Sequence, residues 1–177
     1  MRIAGIVLAA GSGSRFGEPK APVVIGGERL VDRAARTLRE AGCDPVVVVL
    51  GAWIGDVPNA VIVENPAWEE GMGSSLRVGL NAVEQFDVDA AVVTLVDLPG
   101  LTSQAVARVV GTDAELVAAT YLGERGHPVK FGRGHWAAVA SVAAGDAGAR
   151  AYLAGRGDLV LVEVGDVASG IDLDERD

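Results

Sequence analysis

The chain is poor in the side chains that form covalent intermediates. Its only cysteine among 177 residues is Cys43, which excludes an internal disulfide. Its only histidines are His127 and His135, and no G-x-S-x-G elbow occurs, so hydrolysis through an activated nucleophile has little support. A basic balance is missing as well. The formal charge is −9, which argues against nucleic acid as a partner, because that binding needs a cationic face to displace counterions. The longest apolar stretch, Pro45 to Ile54, is interrupted by Gly51 and falls far short of the ~20 residues that span a bilayer. Nothing at the start reads as an export signal, so a cytoplasmic protein with no membrane partner is expected. No repeat, low-complexity tract or Pro/Ser-rich linker divides the sequence, and a single domain over 1–177 is expected.

What is abundant is Val, Ala and Leu. Half the residues are hydrophobic and only 5% are aromatic, which suits buried parallel strands alternating with small-residue helices. Periodicity predicts strands at Ile3 to Ala9, Pro45 to Leu50, Ala60 to Glu64, Ala90 to Leu95, Leu116 to Tyr121, Pro128 to Phe131 and Leu159 to Val164. Between them it predicts helices at Leu30 to Ala41, Ser74 to Gln85, Ser103 to Val110, His135 to Ala144 and Ala147 to Ala154. This βαβ rhythm predicts a doubly wound α/β sheet, whose ligands sit outside the carboxyl ends of the strands. The acidic end, Gly170 to Asp177, reads as a solvated tail.

The first strand runs into Gly11-Ser12-Gly13-Ser14-Arg15-Phe16-Gly17-Glu18-Pro19-Lys20. The third glycine comes one residue too late for the dinucleotide fingerprint, and Lys20 follows a proline instead of a glycine, so neither a Rossmann turn nor a P-loop fits. Glycines expose backbone N–H groups that can approach an anion, and Arg15 and Lys20 add positive charge. The loop reads as a triphosphate cradle, with a plain surface turn as the alternative for the glycines alone.

Asp97 ends an apolar strand just before Leu98-Pro99, which delivers its carboxylate to the sheet edge. A hard divalent cation such as Mg²⁺ uses one or two carboxylates plus phosphate oxygens, so a metal-anchoring role is expected for Asp97. Thr102 is better placed to cap the following helix. Ser74 and Ser75 stand where a helix begins and could read a base or an anion, although N-capping explains them more economically. His127, beside Pro128, fits a substrate contact or a turn, and Asp146 fits an N-cap.

The stretches Leu8 to Lys20, Asn65 to Leu80, Asp97 to Pro99, Gly126 to Phe131, Gly145 to Arg150 and Ile171-Asp172 resemble the molybdenum cofactor nucleotidyltransferase family, closest to its cytidylyltransferase branch. The resemblance implies a mostly parallel three-layer sandwich of the nucleotide-diphospho-sugar transferase type. It implies Mg²⁺-dependent transfer of CMP from CTP to the phosphate monoester of a molybdopterin acceptor, with loss of pyrophosphate. It assigns base and phosphate contacts to Leu8, Ala9, Ala10, Gly11, Ser12, Gly13 and Ser75, catalytic charge to Arg15 and Lys20, and the metal to Asp97 with Asp172. On the acceptor side it puts forward His127 and Asp146, and it implies a molybdoenzyme or its chaperone as the receiver of the product.

Guanylyl-transferring relatives read Leu-Ala-Gly-Gly at the loop entrance, whereas this chain has Leu8-Ala9-Ala10-Gly11, whose methyl takes room a purine would need. Relatives of the cytidylyl branch commonly carry Asp-Gln-Pro where Leu98 stands here. A guanylyltransferase, a transferase with another phosphate acceptor, and a non-catalytic nucleotide-binding or cofactor-escort protein are the alternatives.

Overall fold

The computed structural model describes residues 1–173, so the outermost part of the expected tail, 174–177, lies outside the described residues. The strands are β1 (Ile3–Ala9), β2 (Val24–Ile25), β3 (Glu28–Arg29), β4 (Val46–Leu50), β5 (Val61–Glu64), β6 (Ala90–Leu95), β7 (Leu116–Tyr121), β8 (Glu124–Gly132) and β9 (Val160–Glu163). The helices are α1 (Leu30–Glu40), α2 (Met72–Val83), α3 (Ser103–Val110), α4 (Trp136–Val142) and α5 (Arg150–Leu153), with 3₁₀ turns at Trp68–Glu70, Arg133–His135 and Gly145–Ala147.

Seven strands form one sheet in the order β5-β4-β1-β6-β8-β7-β9. Only β8 among them runs against the rest, pairing antiparallel with both β6 and β7. Alternation along β1 explains the three layers, since successive side chains point to opposite faces. Ile3, Val7 and Ala9 join a core with α1 and α3, while Ala4, Ile6 and Leu8 join a second core with α2, α4 and α5. The chain winds from β1 through β4 to β5, then crosses back to place β6 on the other side of β1. The strand order therefore reverses between β1 and β6, and a crevice opens there at their carboxyl ends.

Helix α1 buries Leu30, Val31, Ala34, Ala35 and Leu38 and turns its arginines outward. Arg36 pairs with Glu28 at 2.8 Å and Glu40 at 3.0 Å, and Arg29 pairs with Asp32 at 2.7 Å, so the N-terminal excess of cations is a solvated, ion-paired face. Among the described residues no helix is long and apolar enough to cross a membrane.

Several boundaries differ from expectation. Strand β8 begins at Glu124, ahead of Pro128, because Leu122 and Gly123 both take positive φ (53° and 85°) and close a two-residue hairpin that pairs Tyr121 with Glu124. The β2–β3 hairpin went unpredicted, although Gly26-Gly27 between Val24-Ile25 and Glu28-Arg29 is its signature. The expected helix from Ala147 to Ala154 is cut short, since Gly148 at φ 55° separates a 3₁₀ turn from α5.

Candidate functional site

The crevice at the carboxyl ends of β1 and β6 is a cleft of about 460 Å³. It gathers every residue from Leu8 to Gly13 with Arg15, Lys20, Ser75, Asp97 and Asp146. Strand β1 supplies Leu8 and Ala9, β6 delivers Asp97, and α2 contributes Ser75.

The glycine loop is built around Gly13, at φ 66°, where a Cβ would lie 1.8 Å from the Glu18 carbonyl oxygen. Gly17 N–H donates to Gly13 C=O at 2.7 Å, closing the turn that carries Arg15 to the cleft. Gly11 is different, for nothing lies within 4 Å of the position of its missing Cβ. Its backbone is thus bare toward the cleft, as an approaching phosphate requires.

Lys20 Nζ donates to Asp97 Oδ2 at 3.1 Å, and both side chains are mostly buried. The other oxygen, Asp97 Oδ1, is buried and accepts no hydrogen bond. Burial raises the Asp97 carboxyl above the usual carboxylate range, against the charge and hydrogen bond of Lys20, and the negative charge of Asp172 pushes it the same way. The C-terminal segment brings Asp172 there. Thr102 Oγ1 donates to Val167 C=O at 3.0 Å, Ser169 N–H to Gly100 C=O at 3.1 Å, and Leu173 N–H to Asp97 C=O at 2.9 Å. Thr102 also accepts from Ala105 N–H and caps α3, as expected.

A buried carboxylate oxygen without a donor, with a second carboxylate tethered beside it, is a donor set that suits a hard divalent cation. Among the described residues no cluster of three or more His, Cys, Asp or Glu side chains stands ready for a metal, so phosphate oxygens and water would have to fill the remaining positions.

The serines correct the sequence reading. Helix α2 starts two residues earlier than expected, with Gly71 as its N-cap at φ 103°, so Ser74 and Ser75 sit inside the first turns and cap nothing. Instead Asn65 Nδ2 donates to Ser74 Oγ at 2.9 Å and to Ser75 Oγ at 3.0 Å, while Asn65 Oδ1 accepts from Ala67 N–H at 3.0 Å. This buried amide aims the two hydroxyls, and sequence reasoning gave it no role. A Cβ on Gly71 would lie 2.7 Å from the Gly145 backbone, and one on Gly73 would lie 2.5 Å from Ala144 N. Those two glycines let the 3₁₀ turn Gly145–Ala147 press against α2 and bring Asp146 to the cleft. Asp146 does not cap α5, whose N-cap is Ala149 without a side-chain bond.

A second cavity of about 550 Å³ adjoins the first, sharing Leu8, Met72, Leu95 and Asp146 with it. His127 and Asp172 line this second cavity. Burial lowers the His127 imidazole to about 4 despite the nearby charge of Asp172, so the ring is neutral near pH 7. His127 lies well inside β8, not at its start. Its C=O accepts from Tyr121 Oη at 2.7 Å. Arg125 and Arg150 line the same cavity, and the sequence reading gave neither a role. Lys130, in the same segment as His127, points away from both cavities and donates to Thr112 C=O at 2.8 Å.

Comparison with known proteins shows the family and the fold. A family model described as the MobA-like NTP transferase domain matches residues 5–160. The chain is 37% identical over 190 residues to nicotine blue oxidoreductase of Paenarthrobacter nicotinovorans, across 97% of this chain and 92% of that protein. It is 33% identical over 148 residues to molybdenum cofactor guanylyltransferase of Rhodobacter capsulatus, across 78% of this chain and 68% of that protein. The solved structure of Rv0371c from Mycobacterium tuberculosis H37Rv in complex with manganese is similar at a TM-score of 0.75 and 26% identity, covering 98% of this chain and 94% of that one.

Proposed function

The chain belongs to the MobA-like NTP transferase family, and we propose that it is a Mg²⁺-dependent nucleotidyltransferase that moves CMP from CTP to the phosphate monoester of a molybdopterin-type acceptor. The observation that carries this reading is the meeting of the glycine loop, Lys20 and Asp97 in one cleft, with Asp97 Oδ1 buried and unpartnered. The guanylyltransferase name of the Rhodobacter relative supports the molybdopterin acceptor class, and the manganese complex of the mycobacterial neighbour supports a divalent cation.

In this reading the backbone of Gly11, Ser12 and Gly13 receives the triphosphate, and Arg15 and Lys20 face its charge. Ser75, aimed by Asn65, meets the base, and Ala10 narrows the floor beneath it. An oxygen of the acceptor phosphate attacks the α-phosphorus, a new P–O bond forms, and the bond to the β-phosphate oxygen breaks to release pyrophosphate. Fixed cations stabilise the charge that gathers on the leaving oxygen, and positioning does the rest. Mg²⁺ held by Asp97 and Asp172 would add charge neutralisation across the phosphates. The cytoplasm and a molybdoenzyme or its chaperone as receiver belong to the same reading.

The test is pyrophosphate release with each NTP in turn, Mg²⁺ and the molybdenum-bearing pterin. CTP is expected to be the donor; release with GTP alone would move the chain to the guanylyl branch, and no release with any NTP would overturn the reading. A second reading has one observation behind it, the oxidoreductase name of the Paenarthrobacter relative. It expects no pyrophosphate from any NTP and an oxidoreductase activity such as the relative's name states.

A further inference from the structure

The two outer edges of the seven-stranded sheet are finished differently. Strands β5 and β9 are both four residues long and each leaves one flank without a strand partner among the described residues, so length does not distinguish them. At β9, Val164 N–H donates to Thr120 C=O, which turns the backbone of Glu163 outward. Arg108 donates to that outward Glu163 C=O at 3.0 Å and pairs with Asp166, so a guanidinium blunts this edge. At β5, Asn65 N–H donates to Leu50 C=O at 2.7 Å. By alternation the backbone groups of Val61 and Val63 face β4, and those of Ala60, Ile62 and Glu64 face outward. No charge or proline interrupts Val61 to Val63. The side chains alternate as well: Ala60 and Ile62 pack toward the core of α1 and Val63 toward that of α2, which puts Glu64 on the α1 face. Glu64 is exposed and makes no hydrogen bond or ion pair among the described residues. At the other end of β5, Arg39 of α1 lines a surface recess with Asn59, Ala60 and Val61. It donates to Pro58 C=O at 3.4 Å and has no ion pair among the described residues. Asp44 also lines the recess but precedes β4, one strand further in.

We propose that β5 is a self-association edge, pairing antiparallel with β5 of a second copy about a twofold axis through Ile62. The axis stands perpendicular to the sheet, so the α1 faces of the two copies lie on one side and residues opposite each other share a face. Ile62 then meets Ile62 of the second copy, Val61 meets Val63, and Ala60 meets Glu64. The backbone groups of Ala60, Ile62 and Glu64, which face outward, are the ones that exchange hydrogen bonds in this register. Charge selects a second copy as the occupant. The edge carries an unpaired carboxylate at one end and an arginine without an ion pair at the other, and antiparallel self-pairing brings Glu64 of each copy to the Arg39 end of the other. Symmetry makes that contact twice. A slip of one residue would put opposed side chains on different faces, and a slip of two would part Glu64 from Arg39. Pairing over Ala60 to Glu64 alone falls below the standard interface size, so the dimer is weak and depends on concentration. The proposal is independent of the nucleotidyltransferase reading.

Sedimentation velocity of the full chain from micromolar to millimolar concentration tests this, with amide hydrogen exchange followed at the same concentrations. A monomer–dimer equilibrium is expected. Exchange at Ile62 and Glu64 should slow as the dimer forms, while exchange at Leu161 of β9 stays constant. Glu64→Arg and Arg39→Glu each set like charges against one another twice across the axis. Each is expected to weaken the dimer about tenfold, two exposed ion pairs together being worth about that factor. The double variant, with the two charges exchanged, is expected to recover the association of the wild type. A variant that merely folded poorly would not be rescued in this way, so recovery separates pairing across the axis from a local structural effect. A chain that stays monomeric over the whole range would overturn the proposal. So would a dimer that slows exchange at Leu161 instead of Ile62 and Glu64, or a double variant that associates no better than the single ones.

Discussion

Lys20 Nζ donates to Asp97 Oδ2 at 3.1 Å and so ties the end of the glycine loop to the end of β6. The pair is asymmetric, since Asp97 Oδ1 is buried without a donor and burial outweighs Lys20 in raising the Asp97 carboxyl. The folded chain therefore binds the Asp97 proton more tightly than the unfolded chain does. The contribution of Asp97 to stability is full below its unfolded-state range and is lost as pH rises through the raised folded value. Asp97→Asn removes the buried charge while its amide oxygen still accepts from Lys20. The remaining cost is an unpaired amide N–H, about 1–3 kcal/mol and less than that of an ionised group. At pH 7 this variant should melt higher than the wild type, whereas Mn²⁺ should raise the melting temperature of the wild type only. A lower melting temperature for Asp97→Asn would show that Lys20 dominates the pair.

Gly11 and Gly13 separate binding from folding. An alanine at 13 would need positive φ and would drive its methyl into the Glu18 carbonyl, so Gly13→Ala should cost about 1–3 kcal/mol of stability as well as nucleotide affinity. At Gly11 the methyl enters open space. Gly11→Ala should keep the wild-type melting temperature and lose NTP affinity, because the methyl occupies the space where a phosphate meets the backbone. Calorimetry with CTP beside a thermal melt distinguishes the two, and wild-type affinity in Gly11→Ala would place the triphosphate elsewhere.

The parts of the site that local sequence could reveal are those fixed by local chemistry. An apolar run ending in Asp97 and a proline had to reach a strand edge, and Thr102 was a natural cap. Asp146 misled because its neighbours Gly145 and Gly148 both take positive φ and break the helix it was expected to start. Asn65 was invisible as a functional residue, since its amide acts on hydroxyls nine and ten positions away. Arg125 and Arg150 line one cavity only because β8 and α5 fold against it. Asp172 reached its place through backbone hydrogen bonds to the loop after β6, which no spacing rule encodes. Family resemblance alone put Asp172 forward beside Asp97, and a shared metal stays part of the proposed reading.

Glu163 holds the outer corner of the sheet. Its carboxylate accepts from the N–H groups of Leu122, Gly123 and Gly165, each at 2.9 Å, and from Thr120 Oγ1 at 3.0 Å. The backbone N–H groups of Gly123 and Leu122 are the chief cause that lowers it from 4.5 to about 2. Because the folded value is depressed, this contribution is present above the unfolded value and disappears as pH falls from about 4.5 toward 2. Glu163→Gln should melt lower than the wild type at pH 7 and show a shallower loss of stability across that acid window. Faster amide exchange at Leu122 and Gly123 in the variant would locate the effect at the β7–β8 hairpin. Parallel pH profiles for the two proteins would mean that the unfolded chain holds the same proton as tightly.

In the proposed reading Ala10 carries the choice of base. It is buried at the floor of the cleft, and its C=O accepts from Ala52 N–H at 3.0 Å, which fixes the backbone and leaves only the methyl to vary. Ala10→Gly removes that methyl and nothing else from the cleft wall. One methyl-sized change in a close-fitting pocket is worth about 1–3 kcal/mol, or roughly 10- to 200-fold in discrimination. The ratio of GTP to CTP affinity should therefore rise by at least about tenfold in Ala10→Gly, mainly through tighter GTP binding. A proportional loss of affinity for both nucleotides would mean that the glycine had only loosened the loop. An unchanged ratio would move base selection away from the floor and toward the Asn65-aimed hydroxyl of Ser75, where Ser75→Ala is then expected to change the ratio that Ala10→Gly left alone.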